Sequence, residues 1–548
     1  MERLQDFFRR HPFVRDAFLW ALPALVFGAV LRALFVSYLP YAFWGADSRS
    51  NYYFAHKLIS HGAISLGDKR RYLYPILMVP VSLLPGGALR WLPLFQHTLG
   101  LATLLPLAYV VRKTLRFWRL WIVPVTVIYA GLPVVVWCEH ELLQEAVFFM
   151  AFTWAFAGWA AWVGQEEVER SRWLFWWFLV PFVLFILNKP SGRFVWPGIL
   201  AGLVIVAAWR LLTRRQAVAL LAVLLVTPTV GSKKQGAWLL YTAVFPLTRL
   251  ETPLHAEYKA EVKDMVARMR DHLEIYYALQ HDEPFQFLGH PDKQDTRPLW
   301  TELGQVGNEK RKDKIYMDLA LEGIKARPDL FLYLGLERLA AVGNFSNVID
   351  PYFSDGSFNP ASAAANNSLT RAAEEHFSDG SFSSFFAQFY KDAEDSDDIP
   401  VRMALGMPKK GPIPSYEEYR RKLEPAPGSW RARAVQACAG AYGKRFDLFR
   451  FPDLPWEQCK ISLVRPTFFC VWLGAGALLS LLPRYRRTLG VWAILAAGYV
   501  FGVFLVSVIS TRYFAPVWPV LLPLLAIPPE VIWEFAGRRW AKPSTDAK

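Results

Sequence analysis

Residues 18–40 read "FLWALPALVFGAVLRALFVSYLP", and residues 44–53, shortly after, read "WGADSRSNYY". About 20 apolar residues suffice to cross a bilayer, so the first stretch predicts a transmembrane helix near 17–39. The second stretch puts a carboxylate, Asp47, among Arg49, Tyr52, Tyr53 and His56 at the point where the chain leaves the hydrocarbon. An interfacial carboxylate can stay ionised and accept a proton from an incoming hydroxyl, as a general base must. It can equally cap a helix beginning near Arg49. The basic residues before this span precede an apolar run longer than a signal-peptide core, with no small-residue cleavage site after it, which reads as a retained first span.

The remainder of the chain has the same two-part character. More than half of its residues are apolar (53%), yet a fifth are charged (20%), a mixture that predicts a membrane bundle carrying a sizeable polar region. The net charge of +14 would suggest nucleic acid in a soluble protein. Here the positive residues cluster as "RRHPFVR", "RKTLRFWR", "RLLTRR", "PRYRR" and "GRRWAK", each beside an apolar run. Such clusters mark cytoplasmic ends and meet lipid head groups, and no nucleic-acid-binding signature accompanies them. Cys138 and Cys470 fall in or beside spans, whereas Cys438 and Cys459 fall in the polar region and can pair if that region lies outside the cytoplasm. No metal-type CxxC spacing is present.

Further spans are expected near 90–111, 119–137, 142–163, 173–188, 194–210 and 215–231, and three more near 463–483, 488–509 and 513–535. With the N-terminus inside, these roughly ten spans put every basic cluster on the cytoplasmic face. The fold class is therefore mainly α: a polytopic membrane helix bundle with a mostly helical extracytoplasmic domain inserted between spans 7 and 8. Residues 1–231 form an N-terminal transmembrane module whose first outer loop, 40–89, carries the candidate site. Residues 232–461 form the insertion, and 462–548 a C-terminal transmembrane module. Within the first loop, "YLYPILMVPVSLLP" (72–85) is apolar but interrupted by Pro75, Pro80 and Pro85, and reads as re-entrant or interfacial. In the insertion, "AEYKAEVKDMVARMRDHLEIYYALQ" and "RPDLFLYLGLERLAAVGNF" have helical spacing.

The same threading collects the ionisable segments at one surface, where they can build one site. "WCEHELLQE" (137–145) opens the fourth span: Glu141 and Glu145 are four apart, hence on one helical face, with Glu139 and His140 in the preceding turn. The helix macrodipole accounts for Glu139 and Glu141 but poorly for Glu145, which would be costly in lipid without a partner and is expected to face a polar cavity. Arg70, Arg71, Lys189, Arg193 and Arg512 lie at the outer mouth, against the positive-inside bias. Cations there suit a phosphate or diphosphate at head-group level, with snorkelling anchors as the plainer reading. Gln96 and His97, inside the second span, are expected to hydrogen-bond between helices. The acids, with His56, His61 or His140, also offer ligands to a divalent ion, though no spacing demands one. No other cofactor is implied.

Four segments, in this order, carry a family resemblance: "GADSRSNYYFAHKLISHGAISL", "RRYLYPILMVPVSLLPG", "EHELLQEAVFFMAF" and "TRYFAPVWPVLLPLLA". They resemble the GT-C superfamily of integral-membrane glycosyltransferases, which includes protein O-mannosyltransferases and lipid A aminoarabinose transferases. The resemblance implies a polyprenyl-phosphate sugar donor, an acceptor glycan, lipid or protein, and a site on the extracytoplasmic face of a membrane, the bacterial inner membrane by the short loops. It gives Asp47 the role of base, Glu141 that of the second acid, and Arg512 that of donor-phosphate ligand. Lys189 and Arg193, with Arg70 and Arg71, supply further positive charge. Tyr52, His56, Glu139, His140 and Glu145 would line the acceptor cavity. No adjacent Asp–Glu pair occurs at the first site, unlike the mannosyltransferase pattern, so sugar and acceptor stay open. A transporter or flippase, or a non-catalytic scaffold of the same architecture, are the rival classes; transporters favour repeated halves and midplane charges, and no repeat is visible.

Overall fold

The computed structural model describes residues 2–38, 73–85, 88–140, 144–163, 172–188, 309–329, 464–506 and 515–540, with a few isolated positions between them. The described residues are overwhelmingly helical. In chain order the helices are α1 (Glu2–Arg10), α2 (Pro12–Tyr38), α3 (Leu73–Ser82), α4 (Ala88–Thr114), α5 (Trp118–Gly131), α6 (Pro133–His140), α7 (Glu145–Val163), α8 (Arg172–Asn188), α9 (Glu309–Ala326), α10 (Val464–Leu479), α11 (Val491–Val506) and α12 (Trp518–Trp540). A π-helical turn, Arg486–Gly490, leads into α11, and a single 3-10 turn, Ala515–Val517, leads into α12. Four segments are long and apolar enough to cross a membrane: Pro12–Ala33, Arg90–Thr114, Glu145–Val163 and Ala515–Ala536. The chain is a membrane protein on that ground. The expected spans near 194–210 and 215–231, nearly all of the 232–461 insertion, and Cys438 with Cys459 lie outside the described residues.

Proline chemistry sets two of the boundaries. The apolar run expected to form one span at 119–137 is two helices, α5 and α6, broken at Leu132. Leu132 is extended, with φ −61° and ψ 116°, because the ring of Pro133 disfavours helical geometry in the residue before it. Pro133 then opens α6, where a missing N–H costs nothing. The segment expected to be re-entrant or interfacial contains the ten-residue helix α3. At 1.5 Å per residue it reaches about 15 Å, half a bilayer core, and it buries Tyr74, Pro75, Met78 and Val81.

Helix α7 is the axis of the bundle: 89% of its span is buried, against 28% for α2. Along one side it meets α8 closely, since a methyl group on Gly158 would lie 2.6 Å from the backbone nitrogen of Phe178. Small residues permit such backbone approach where lipid gives helices no hydrophobic reason to associate. Aromatic rings fill the layers above and below, with Phe148 stacked on Phe185 at 4.3 Å and Phe152 edge-on to Trp492 at 4.9 Å. The outward residues of α2, among them Leu19, Leu22, Val26 and Val30, are exposed apolar groups suited to lipid.

One end of the bundle is basic and stitched by carboxylates. Arg112 of α4 pairs with Asp16 of α2 at 3.0 Å and lies over the rings of Phe13 (4.5 Å) and Trp118 (4.2 Å). Glu530 of α12, buried, accepts from the backbone N–H of Phe117 and from the hydroxyl of Tyr485, both at 2.6 Å. Glu534 pairs with Arg116 at 2.9 Å and Arg484 at 2.8 Å. Burial, and then the bond to Glu530, push the Tyr485 phenol above its ordinary pKa, so it remains a donor throughout the neutral range. Trp159 of α7 donates to the carbonyl of Arg487 at 2.8 Å. These contacts join the N-terminal and C-terminal helices, far apart in sequence, into one bundle. Replacing Gly158 with Leu should force α7 from α8 and lower stability by about 1–3 kcal/mol, read as a fall in thermal midpoint of the detergent-solubilised protein, whereas Leu at the open position Gly474 should change it little.

Candidate functional site

At the opposite end a charged group is buried inside the bundle. Arg32 lies on α2, six positions before its last residue, and is 2% exposed. Its guanidinium grips Glu139 of α6 through both edges, Nε donating to Oε2 at 2.6 Å and Nη2 to Oε1 at 2.7 Å. The remaining Nη1 donates to the carbonyls of Ala130 (3.0 Å) and Gly28 (3.3 Å). A buried guanidinium is tolerable only with such saturation, because moving each ion out of water costs several kcal/mol. The Ala130 carbonyl is near the end of α5, so the break at Leu132 helps to supply a partner.

Two histidines extend the pair. His97 of α4 places Nδ1 2.8 Å from Glu139 Oε2, and its Nε2 3.1 Å from Nδ1 of His140, the last residue of α6. Next to them Gln96 donates to the carbonyl of Glu139 at 2.9 Å and accepts from the hydroxyl of Tyr74 at 2.9 Å, which anchors α3 to α4. Gly100, one turn along α4 from Gln96, makes room: a methyl group there would overlap the Glu139 carboxylate. Four elements, α2, α3, α4 and α6, are thereby fixed to one another by polar side chains.

The sequence-based expectations divide into three groups. Inter-helix hydrogen bonding by Gln96 and His97 is what the structure shows. Glu139 and His140 were expected in a turn at the cavity; they are instead in the last turn of α6, fully buried, because Pro133 starts a helix that carries them into the bundle, where Arg32 neutralises the acid. Glu145 is also buried, but as the first residue of α7, with Leu142 in a bend and Gln144 in a turn before it. The expected common face of Glu141 and Glu145 involves Glu141, which lies outside the described residues. Asp47, Tyr52, His56, Arg70, Arg71, Glu141, Lys189, Arg193 and Arg512 lie outside the described residues. Arg32 carried a signal that the reading of 18–40 passed over: a lone charge within an apolar run must face an internal partner.

The described helix ends that lead into those residues are gathered at this end. α2 ends beyond Arg32, on the way to Asp47, and α6 ends at His140, immediately before Glu141. α8 ends at Asn188, before Lys189, where Asn188 Nδ2 donates to the carbonyl of Gln144 at 2.9 Å. α11 runs antiparallel to α7: Arg487 is beside Trp159, Trp492 beside Phe152 and Phe156, and Tyr499 beside Phe148 and Phe185. Its last residue, Val506, thus points to the same end, ahead of Arg512.

Among the described residues no group of three or more His, Cys, Asp or Glu side chains is arranged to hold a metal ion. Both oxygens of Glu139 are occupied by Arg32 and His97. Compared with known protein families, curated proteins and solved structures, the chain matches none.

Removing one partner of a buried ion pair leaves the other uncompensated. Arg32→Met should cost about 3–5 kcal/mol, whereas Arg32→Met with Glu139→Met should recover most of it. Thermal unfolding of the purified protein in one detergent checks both, the double variant being the more stable of the two.

Proposed function

We propose that the chain is an integral-membrane glycosyltransferase of the GT-C type, moving a sugar from a polyprenyl-phosphate donor to an acceptor hydroxyl or amine. In this reading about ten spans cross the membrane, the basic end faces the cytoplasm, and the site opens on the extracytoplasmic side of a bacterial inner membrane. The observation that carries the reading is placement. The helices preceding Asp47, Glu141, Lys189 and Arg512 end together at the Arg32–Glu139 end, opposite the carboxylate-stitched basic end.

Asp47 removes the proton from the acceptor, whose oxygen or nitrogen attacks the anomeric carbon in line. The bond to the phosphate oxygen breaks and the anomeric centre inverts. Phosphate leaves readily once its charge is shared by fixed cations, here Arg512 with Lys189 or Arg193 and with Arg70 and Arg71, so a strong acid catalyst is unnecessary. Glu141 positions the acceptor. The bilayer holds the isoprenoid tail among the helices and presents the sugar head to the site, which lowers the entropic barrier. The insertion at 232–461 selects the acceptor.

Mass spectrometry of lipid-linked sugars and envelope glycans, in cells with and without the protein, tests this directly. The account expects a donor to accumulate and a glycan to lose its sugar when the protein is absent. Asp47→Asn should fold normally and slow transfer at least about a hundredfold; product formation at the unsubstituted rate would reject Asp47 as base, and unaltered lipid and glycan profiles would favour a carrier or scaffold.

A further inference from the structure

The basic end carries positive charge that its own acids leave unbalanced. The membrane-length segments Arg90–Thr114 and Ala515–Ala536 both finish there. Arg116 follows the first by two residues, and Ile532 and Trp533 lie in the last turns of the second, so these side chains sit at head-group level, the depth that interfacial tryptophans favour. Arg116, in the turn between α4 and α5, and Arg484, in the turn after α10, each donate through Nη1 to the same oxygen, Oε1 of Glu534 on α12, at 2.9 and 2.8 Å. A guanidinium is a planar fork of several N–H donors, and each of these two gives a single bond to the acid while its side chain stays 56% and 39% exposed respectively. Two guanidiniums drawn to one carboxylate oxygen also repel each other. Arg119 and Arg487, both exposed, have no carboxylate partner among the described residues. Glu530, the second acid at this junction, is buried and turned inward to the Phe117 N–H and the Tyr485 hydroxyl. Beside the guanidiniums are exposed apolar groups, Ile532 and Trp533, the ring of Trp533 lying 6.5 Å from that of Phe117.

We propose that this junction is a binding site for an acidic phospholipid, whose phosphodiester is held by the outward N–H groups of Arg116 and Arg484 and whose acyl chains run along Ile532 and Trp533. A phosphate matches the guanidinium fork in both geometry and charge. A zwitterionic lipid brings its own ammonium with its phosphate and leaves the excess charge of the site unbalanced, whereas an acidic lipid neutralises it. Arg119 and Arg487 strengthen the attraction to an anionic leaflet. Free phosphate would satisfy the guanidiniums and leave Ile532 and Trp533 uncovered, so the adjoining apolar groups favour a lipid as the source of the anion. The bound lipid bridges Arg116 of the N-terminal helices and Arg484 of the C-terminal helices, across the junction that Glu530 and Glu534 already close. Nothing in this site depends on glycosyl transfer.

The test titrates the full-length protein, delipidated in a neutral detergent, with phosphatidylglycerol, phosphatidylcholine or inorganic phosphate. Native mass spectrometry reads the bound lipid and thermal unfolding reads the protection. Phosphatidylglycerol should bind at least about tenfold more tightly than phosphatidylcholine and raise the thermal midpoint, while inorganic phosphate at the same concentration leaves the midpoint unchanged. Arg116→Gln with Arg484→Gln should weaken phosphatidylglycerol binding at least about tenfold. Because that pair of changes also strips Glu534 of its partners, two further variants are read on folded, monodisperse protein. Arg119→Gln with Arg487→Gln breaks no ion pair among the described residues and should weaken binding about tenfold, with the midpoint of the lipid-free protein unchanged. Glu534→Gln removes the competing anion and keeps both guanidiniums, so it should bind phosphatidylglycerol at least as tightly as the unsubstituted chain. Equal binding of the two lipids, equal protection by inorganic phosphate, or unchanged phosphatidylglycerol affinity in either arginine-pair variant would overturn the proposal. So would loss of binding in Glu534→Gln, which would mean that Arg116 and Arg484 serve that carboxylate alone.

Discussion

The Arg32–Glu139 ion pair is the constraint around which the described structure is arranged. A charge of either sign in the interior of a membrane bundle is unfavourable alone, so the two must meet, and meeting sets the relation of α2 to α6. Bidentate geometry leaves little freedom in that relation. Gly100 gives the carboxylate its place over α4, and the end of α5 lends a carbonyl to the guanidinium. Because Glu139 is the penultimate residue of α6, the same pair also fixes where that helix ends before α7. Buried ionic clusters of this kind contribute little net stability relative to apolar packing. Their effect is to permit one arrangement of helix ends and penalise the others.

The two ends of the bundle use charge differently. At the basic end, carboxylates on α12 gather an N–H, a hydroxyl and two guanidiniums from sequence-distant turns, and several of these groups remain in contact with solvent. Exposed pairs there are individually weak, but Glu530 is buried and its two short bonds close the junction between the N-terminal and C-terminal helices. At the other end the charges are interior, and α2, α6 and α8 reach their last residues on that side.

Much of the helix inventory was legible because it depends on local composition. The apolar runs at 90–111, 142–163 and 173–188 correspond to α4, α7 and α8 within a few residues. The prolines of 72–85 pointed to something less than a full span, and the described helix there is ten residues long. What local composition could not convey was pairing. Arg32 and Glu139 are separated by 107 positions, and only the packed bundle shows that each is the other's counter-ion. Without that partner Glu139 and His140 read as residues of a turn that lines a cavity. The break at Leu132 was visible in principle, since Pro133 restricts the residue before it, but the continuous apolar run concealed it. His97 was read correctly because a single polar ring inside a span has few alternatives to a bond with the next helix.

The central claim is that the ionisable segments following α2, α6, α8 and α11 share one side of the membrane. Single cysteines placed at position 47 and at position 512, in chains otherwise free of cysteine, can be treated with a membrane-impermeant maleimide in intact spheroplasts and again in inverted vesicles. The account predicts that both positions label in spheroplasts and that both are protected in inverted vesicles. Labelling of the two positions from opposite sides would contradict it.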